Sequence, residues 1–185
     1  MKELSLNILD IAENSVRAGA NLTKIIIDET DDTITVAISD DGCGMTEEIL
    51  RNVTDPFCTT RTTRKVGLGI PLLKLAAEQT GGRVDIVSRH ESQYPDTHGT
   101  TTTALFYKNH IDMTPLGDIV ATVVTLIQCN PHIDFLFAHN MADKVVSLDT
   151  RELREVLGDV PLNTVDVIMW IKDNLNEQYN GEAEE

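Results

Sequence analysis

The sequence predicts an α+β chain built as a two-layer sandwich, helices on one face of a mixed sheet, with a small C-terminal α+β extension. Three observations carry this. Short runs rich in β-branched residues alternate with segments of helical period. Most of those runs are joined to their neighbours through turns. The helices between them each have one apolar arc, enough to cover a single sheet face.

Taken in order, residues 3 to 18 read as a helix ending at Gly19. At 100° per residue, Leu9, Ala12 and Val16 fall in one arc with Leu4, Ile8 and Ile11 beside them, while Asp10, Asn14 and Arg17 line up at i, i+4 and i+7 on the other side. One face packs on the sheet. The other presents a carboxylate, an amide and a guanidinium in a row, which alone describes any solvated helix face. "TKIIIDE" and "TITVAISD" are adjacent strands. Residues 46 to 51 suit a short helix, and Ile70 to Thr80 suits a longer one, with Pro71 in its first turn and Gly81-Gly82 past its end. "RVDIVSRH" and "GTTTTALFY" complete four strands.

The stretch "KNHIDMTPLGD" is the expected junction, with a helix start at Thr114-Pro115. Beyond it, Ile119, Val120, Val123, Val124 and Ile127 share a helical face, "HIDFLFAHN" and "KVVSLDT" read as a hairpin, and "DTRELREVLGD" and "NTVDVIMWIKDNLNEQY" read as two capped helices. Residues 1–108 are therefore expected as one domain and 109–180 as a small docking or regulatory module, or else as a completion of the first sheet. Residues 181–185 read as a disordered acidic tail.

Charge excludes whole classes of partner. The 185 residues hold 15 Lys+Arg against 30 Asp+Glu, a net charge of −15. From residue 109 onward there are four basic and fourteen acidic side chains, so −10 of the −15 lies there. Such a surface repels phosphates and anionic lipid, and neither nucleic acid nor membrane is an expected partner. Cys43, Cys58 and Cys129 form no CxxC pair, which leaves disulfides and structural zinc without support. Cys129 and His132 make a CxxH pair with no second pair to complete a site. No apolar run approaches membrane-spanning length, and "MKELSLNILDIAEN" mixes charge into its apolar residues. A soluble cytoplasmic protein is expected.

Four stretches then stand in order: "LDIAENSVRAGA", "ISDDGCGM", "DPFCTTRTTRKVGLGIPLLKLAAEQTGGRVDIVS" and "HGTTTTALF". The series resembles the GHKL ATPase superfamily (DNA gyrase B, heat-shock chaperone, histidine kinase, MutL), with N, G1, F, G2 and G3 boxes over residues 1 to about 107. The first two boxes are most similar to MutL-type mismatch repair ATPases, the last three to histidine kinases and anti-sigma factor kinases. The resemblance implies the Bergerat fold and a site for ATP and Mg²⁺.

It also implies roles. Asp40, at the end of a strand, would accept a hydrogen bond from the adenine amino group, with Asp41 as a spacer. Gly42 and Gly44 would let the backbone turn sharply and approach the flat ring. A charged hydrogen bond of about 1.5–3 kcal/mol makes its loss worth roughly tenfold to a hundredfold in affinity. Without the other boxes, the same stretch is an Asp-Gly hairpin turn. Arg61, Arg64 and Lys65, with Gly67, Gly69 and the helix start that follows, would cradle the phosphates. Gly67-x-Gly69-x-x-Leu72 lacks the third glycine of a dinucleotide fingerprint, and no GxxxxGK[ST] occurs. Asn14 would offer its amide oxygen to Mg²⁺. Arg17, where histidine kinases have lysine and MutL proteins aspartate, could reach the γ-phosphate. Asp10 stands where hydrolytic members have glutamate; it ranks above Glu13 as a general base because Glu13 points about 100° away. Thr100 would support the adenine site through water, and Phe57, Thr59 and Thr60 would brace the lid.

A sensor histidine kinase carries its phosphoacceptor histidine on an upstream helical hairpin, for which this sequence leaves no room. Autophosphorylation of that kind is not expected, and His90, His98, His110, His132 and His139 read as surface or loop residues. The expected activity is an ATP-dependent protein kinase acting in trans on an unidentified protein partner, as anti-sigma factor kinases do, or a slow ATPase. The alternative is a nucleotide-gated switch whose lid, residues 55 to 69, orders on ATP. A homodimer is compatible with the sequence.

Overall fold

The computed structural model describes residues 3–54 and 68–181. The chain runs α1 (Leu4–Arg17), β1 (Leu22–Glu29), β2 (Thr33–Asp40), α2 (Glu47–Asn52), α3 (Gly69–Gln79), β3 (Arg83–Arg89) and β4 (Gly99–Tyr107). It continues with α4 (Ile119–Cys129), β5 (Asp134–Asn140), β6 (Val145–Asp149), α5 (Thr150–Leu157) and α6 (Val165–Asn180). The strands form one mixed sheet in the order β3-β4-β2-β1-β5-β6. All described pairings are antiparallel except β1 with β5.

Period-two alternation decides which face is covered. In β2, Ile34, Val36 and Ile38 are buried and the residues between them are not; in β5 the buried set is Phe135, Phe137 and His139. Helices α3, α1, α4 and α6 pack side by side on that face. The core runs through both parts of the chain, with Ile8, Phe106, Ile127 and Phe137 all fully buried. Each such side chain stabilises the fold by about 1.5–3 kcal/mol.

The C-terminal extension continues the sheet laid down by residues 1–108. Strand β5 lies beside β1 in register Ile25↔Phe137 and Ile27↔His139, and α4 packs on α1. The outer edge at β6 is closed by one side chain: Ser147 N donates to Gln178 Oε1 at 2.8 Å and Gln178 Nε2 donates to Ser147 O at 3.1 Å. That mimics a strand partner and blocks the edge there.

One predicted boundary is corrected. The helix expected from Thr114-Pro115 begins at Ile119, where the Asp118 carboxylate accepts from Ala121 N at 2.8 Å. Residues 115 and 116 serve α1 instead. Leu4 N donates to Pro115 O at 2.9 Å and Ser5 N to Leu116 O at 2.8 Å, satisfying two of the N–H groups that a helix start leaves over.

Candidate nucleotide site

Strand β2 delivers Asp40 to the sheet end on the helix-covered side, between Thr23 of β1 and Thr100 of β4. Its carboxylate is fixed from three directions. Ser15 Oγ donates to Oδ2 at 2.7 Å, and the backbone N–H groups of Gly42 and Thr100 donate to Oδ1 at 3.0 and 3.3 Å. The half-buried carboxylate thus stands between the β2 end and α1.

The glycines around it are required by close approach. Gly44 has φ +70° and a Cβ there would collide with the Arg89 carbonyl; Gly99 has φ +136° and a Cβ would collide with the carbonyl of Asp40 itself. Gly42 packs on the end of α1, where a Cβ would stand 2.8 Å from Ala18 Cβ. Cys43 N donates to Ala18 O at 2.9 Å, tying the loop to the helix. Cys43 itself is half-buried beside this turn.

The second part of the site is the polar face of α1. Asp10 and Asn14 are half-buried there and Arg17 is exposed. Arg17 Nη2 donates to Asn14 Oδ1 at 2.6 Å and Nη1 to Glu13 Oε2 at 3.2 Å. The amide oxygen expected to face a metal is therefore in contact with a guanidinium. Helix α3 begins directly over this row: a Cβ on Gly69 would lie 3.2 Å from Asp10 Cβ and 3.8 Å from Asn14 Nδ2. No side chain of Leu68 caps that helix start, and its first turn holds no acidic residue. Its first N–H groups and positive dipole end lie beside Asp10 and Asn14.

The structure thus brings together Asp10, Asn14, Arg17, Asp40, Gly42, Gly44, Gly69 and Thr100 at one end of the sheet. The phosphate-cradle residues Arg61, Arg64, Lys65 and Gly67, with Phe57, Thr59 and Thr60, lie outside the described residues. Among the described residues, no group of three or more His, Cys, Asp or Glu could hold a metal ion.

Several contributors escaped the sequence reading. Ser15, 2% exposed, lies on the buried arc of α1, and a hydroxyl in an apolar arc was the available signal. Thr100 turns its hydroxyl to Ser88 Oγ at 2.8 Å, and Ser88 Oγ also accepts from Met45 N at 2.8 Å. Asp41 is more than a spacer: its Oδ1 accepts from Asn21 N and Leu22 N at 2.7 and 2.9 Å, fixing the turn from α1 into β1.

One histidine, His139, is not the surface or loop residue expected, whereas His98 lies in a loop. His98 Nδ1 donates to Gly42 O at 2.6 Å, bracing the Gly42 turn from the β3–β4 connection. His139, 2% exposed, lies at the opposite end of the sheet. It contacts Tyr179 Oη at 2.9 Å and Glu29 Oε2 at 3.1 Å, and Lys108 Nζ donates to Glu29 Oε1 at 2.6 Å. Burial lowers the His139 pKa despite the nearby carboxylate. Burial also pushes Glu29 up, but Lys108 and His139 together hold it below the ordinary value. Burial raises the Tyr179 phenol.

Comparison with known proteins identifies the family. The family profile for histidine kinase-, DNA gyrase B- and HSP90-like ATPases matches residues 2–110. An NtrY-like sensor histidine kinase of Rickettsia prowazekii is 31% identical over 93 residues, covering 49% of this chain and 15% of the relative. The tetrathionate sensor histidine kinase TtrS of Salmonella typhimurium is 31% identical over 99 residues, covering 54% and 16%. Sporulation kinase E of Bacillus subtilis is 31% identical over 88 residues, covering 48% and 12%. This chain thus spans a small part of each of those relatives. A crystal structure of the N-terminal domain of a DNA repair protein superposes with TM-score 0.55 at 16% identity, over 80% of this chain and 53% of the other, a likeness of fold.

Fold and box order define an ATP-binding α+β sandwich. The chain belongs to the histidine kinase-, DNA gyrase B- and HSP90-like ATPase family, and residues 2–110 are a histidine kinase-like ATPase domain of the GHKL superfamily. No described helix is long and apolar enough to cross a membrane.

Proposed function

We propose that this chain binds ATP with Mg²⁺ between α1, α3 and the end of β2, and passes the γ-phosphate to a partner protein in trans or, slowly, to water. The observation that carries this is the fixed Asp40 carboxylate, with the start of α3 at Gly69 standing over Asp10 and Asn14. Asp40 accepts from the adenine amino group, and the α3 start together with Arg61, Arg64 and Lys65 takes the phosphates. The amide oxygen of Asn14 suits a hard cation that keeps several waters and phosphate oxygens. When bound there, Mg²⁺ neutralises phosphate charge and orients the chain of phosphates. Arg17 exchanges its contacts with Asn14 and Glu13 for the γ-phosphate. Asp10 accepts the proton of the attacking hydroxyl or water, and its side chain, one methylene shorter than glutamate, makes turnover to water slow.

One contact favours a second reading. With Arg17 on Asn14 Oδ1 at 2.6 Å, metal binding at Asn14 requires the guanidinium to move, which suits a nucleotide-gated interaction switch. The two readings separate by experiment. ATP·Mg at 100 times its dissociation constant adds about 2.7 kcal/mol to stability. Radiolabel from γ-labelled ATP on a partner protein supports the kinase, and inorganic phosphate alone supports the ATPase. Stabilisation by ATP with neither product supports the switch. Equal stabilisation of wild type and Asp40→Asn rejects the adenine assignment.

A further inference from the structure

Helix α6 is apolar on its buried side and mixed on its outward side. Val167, Ile171 and Leu175 are buried against the core. Val165, Met169 and Trp170 point outward and are 73%, 58% and 51% exposed. At 100° per residue those three lie in an arc of about 140° facing away from the buried one, with Asp166, Asp173 and Glu177 among them. Three large apolar side chains thus stand exposed among carboxylates.

Next to Trp170 a cavity of about 340 Å³ opens between α6, α5 and the β5–β6 hairpin. Its walls include Leu136, Ala138, Leu153 and Asn174, with Glu152 and Asp149 among the polar groups lining it. The surrounding charge is mostly negative, although Lys172 is exposed on the same helix. Glu152, Glu155, Asp159, Asp166 and Asp173 are solvent-facing, and none forms a salt bridge among the described residues. The nearby arginines are already committed, Arg151 to Asp149 at 2.6 Å and Arg154 to Asp134 at 2.7 Å.

We propose that this face docks a basic amphipathic helix of a partner protein, with one apolar anchor side chain entering the cavity beside Trp170 and lysines or arginines facing the carboxylates. A helix is the fitting occupant because Gln178 closes the β6 edge at Ser147 against an added strand. A second copy of this chain is disfavoured, since a two-fold interface would set the acidic rim against itself. Nucleic acid and anionic lipid are repelled by the same carboxylates.

Trp170 is the one tryptophan in the chain, so its emission reports the site directly. The probe is a synthetic peptide of about five helical turns with leucine at i, i+3, i+4 and i+7 and lysine elsewhere. Titrated into the full chain, it shifts Trp170 emission to the blue, saturably, and binds at least about tenfold more weakly when salt is raised from about 0.05 to 0.5 M. The same peptide with glutamate for lysine does not bind. Met169→Asp, an exposed position, and the pair Asp166→Lys with Asp173→Lys each reduce affinity about tenfold or more while ATP binding stays intact. An unchanged Trp170 spectrum, equal binding of the acidic peptide, or equal binding by Met169→Asp overturns the proposal. So does sedimentation showing a dimer that Met169→Asp dissolves, which would assign the face to a second copy.

Discussion

Replacing Ser15 with alanine removes one oxygen from beside the Asp40 carboxylate. Its hydroxyl donates to Asp40 Oδ2 at 2.7 Å from a position 2% exposed, so bulk water does not take its place. Hydrogen bonds to charged groups are worth about 1.5–3 kcal/mol. The carboxylate keeps two backbone donors, Gly42 N at 3.0 Å and Thr100 N at 3.3 Å, both on its other oxygen. At about 2–4 °C per kcal/mol for a domain of this size, the nucleotide-free Tm falls by about 3–12 °C. ATP binding loses more, because a carboxylate held from one side can rotate away from the base. A loss of about 1.4 kcal/mol weakens ATP about tenfold. Ser15→Thr keeps the donor and restores most of both quantities. Scanning fluorimetry without nucleotide and calorimetric titration with ATP measure the two effects separately. An unaltered Tm together with unaltered ATP affinity in Ser15→Ala would refute the reasoning.

Gly99→Ala forces a Cβ into the Asp40 carbonyl at a φ of +136°; strain of about 1–3 kcal/mol lowers Tm and displaces Asp40, and a stable variant with full ATP affinity would contradict this. Arg17→Ala releases the Asn14 amide oxygen but removes the cation offered to the γ-phosphate, so ATP affinity falls while AMP affinity is unchanged; equal losses for both nucleotides would argue against a phosphate contact. Stability also falls in acid. The folded-state pKa of His139 is lowered, so the unfolded chain binds its proton more readily, and the contribution present above about pH 6.5 declines as pH drops below that value. Glu29, also lowered, adds a second decline below about pH 4.5. Urea melts from pH 8 to 5 show the first slope, His139→Gln flattens it, and a slope that persists in that variant would assign it elsewhere.

Secondary structure was legible wherever one periodicity dominated. The alternation in "TITVAISD" and the apolar arc of α1 place their elements within a residue or two of those observed. The helix start after Thr114 was misplaced because proline is a good first helical residue, whereas here the Pro115 and Leu116 carbonyls are drawn to α1 and Asp118 provides the stronger cap. His139 was misread although Phe135, Phe137 and His139 alternate inward at period two, the signal that buries it. The parallel pairing of β5 with β1 could not be read locally, since it depends on segments more than a hundred residues apart in sequence. At the candidate site, the box pattern pointed to Asp10, Asn14, Asp40, Gly69 and Thr100, which the fold gathers at one end of the sheet. Those that hold them, Ser15, Ser88 and His98, act through contacts between distant elements.

The account rests on Asp40, the polar row of α1 and the start of α3 enclosing a single nucleotide. A crystal structure of the full chain with Mg²⁺ and a nonhydrolysable ATP analogue tests it most directly. The predicted result places the adenine amino group within hydrogen-bonding distance of the Asp40 carboxylate and the phosphates between the Gly69 end of α3 and Asn14. A nucleotide bound elsewhere, or one whose base leaves Asp40 bonded only to Ser15, Gly42 and Thr100, would contradict it.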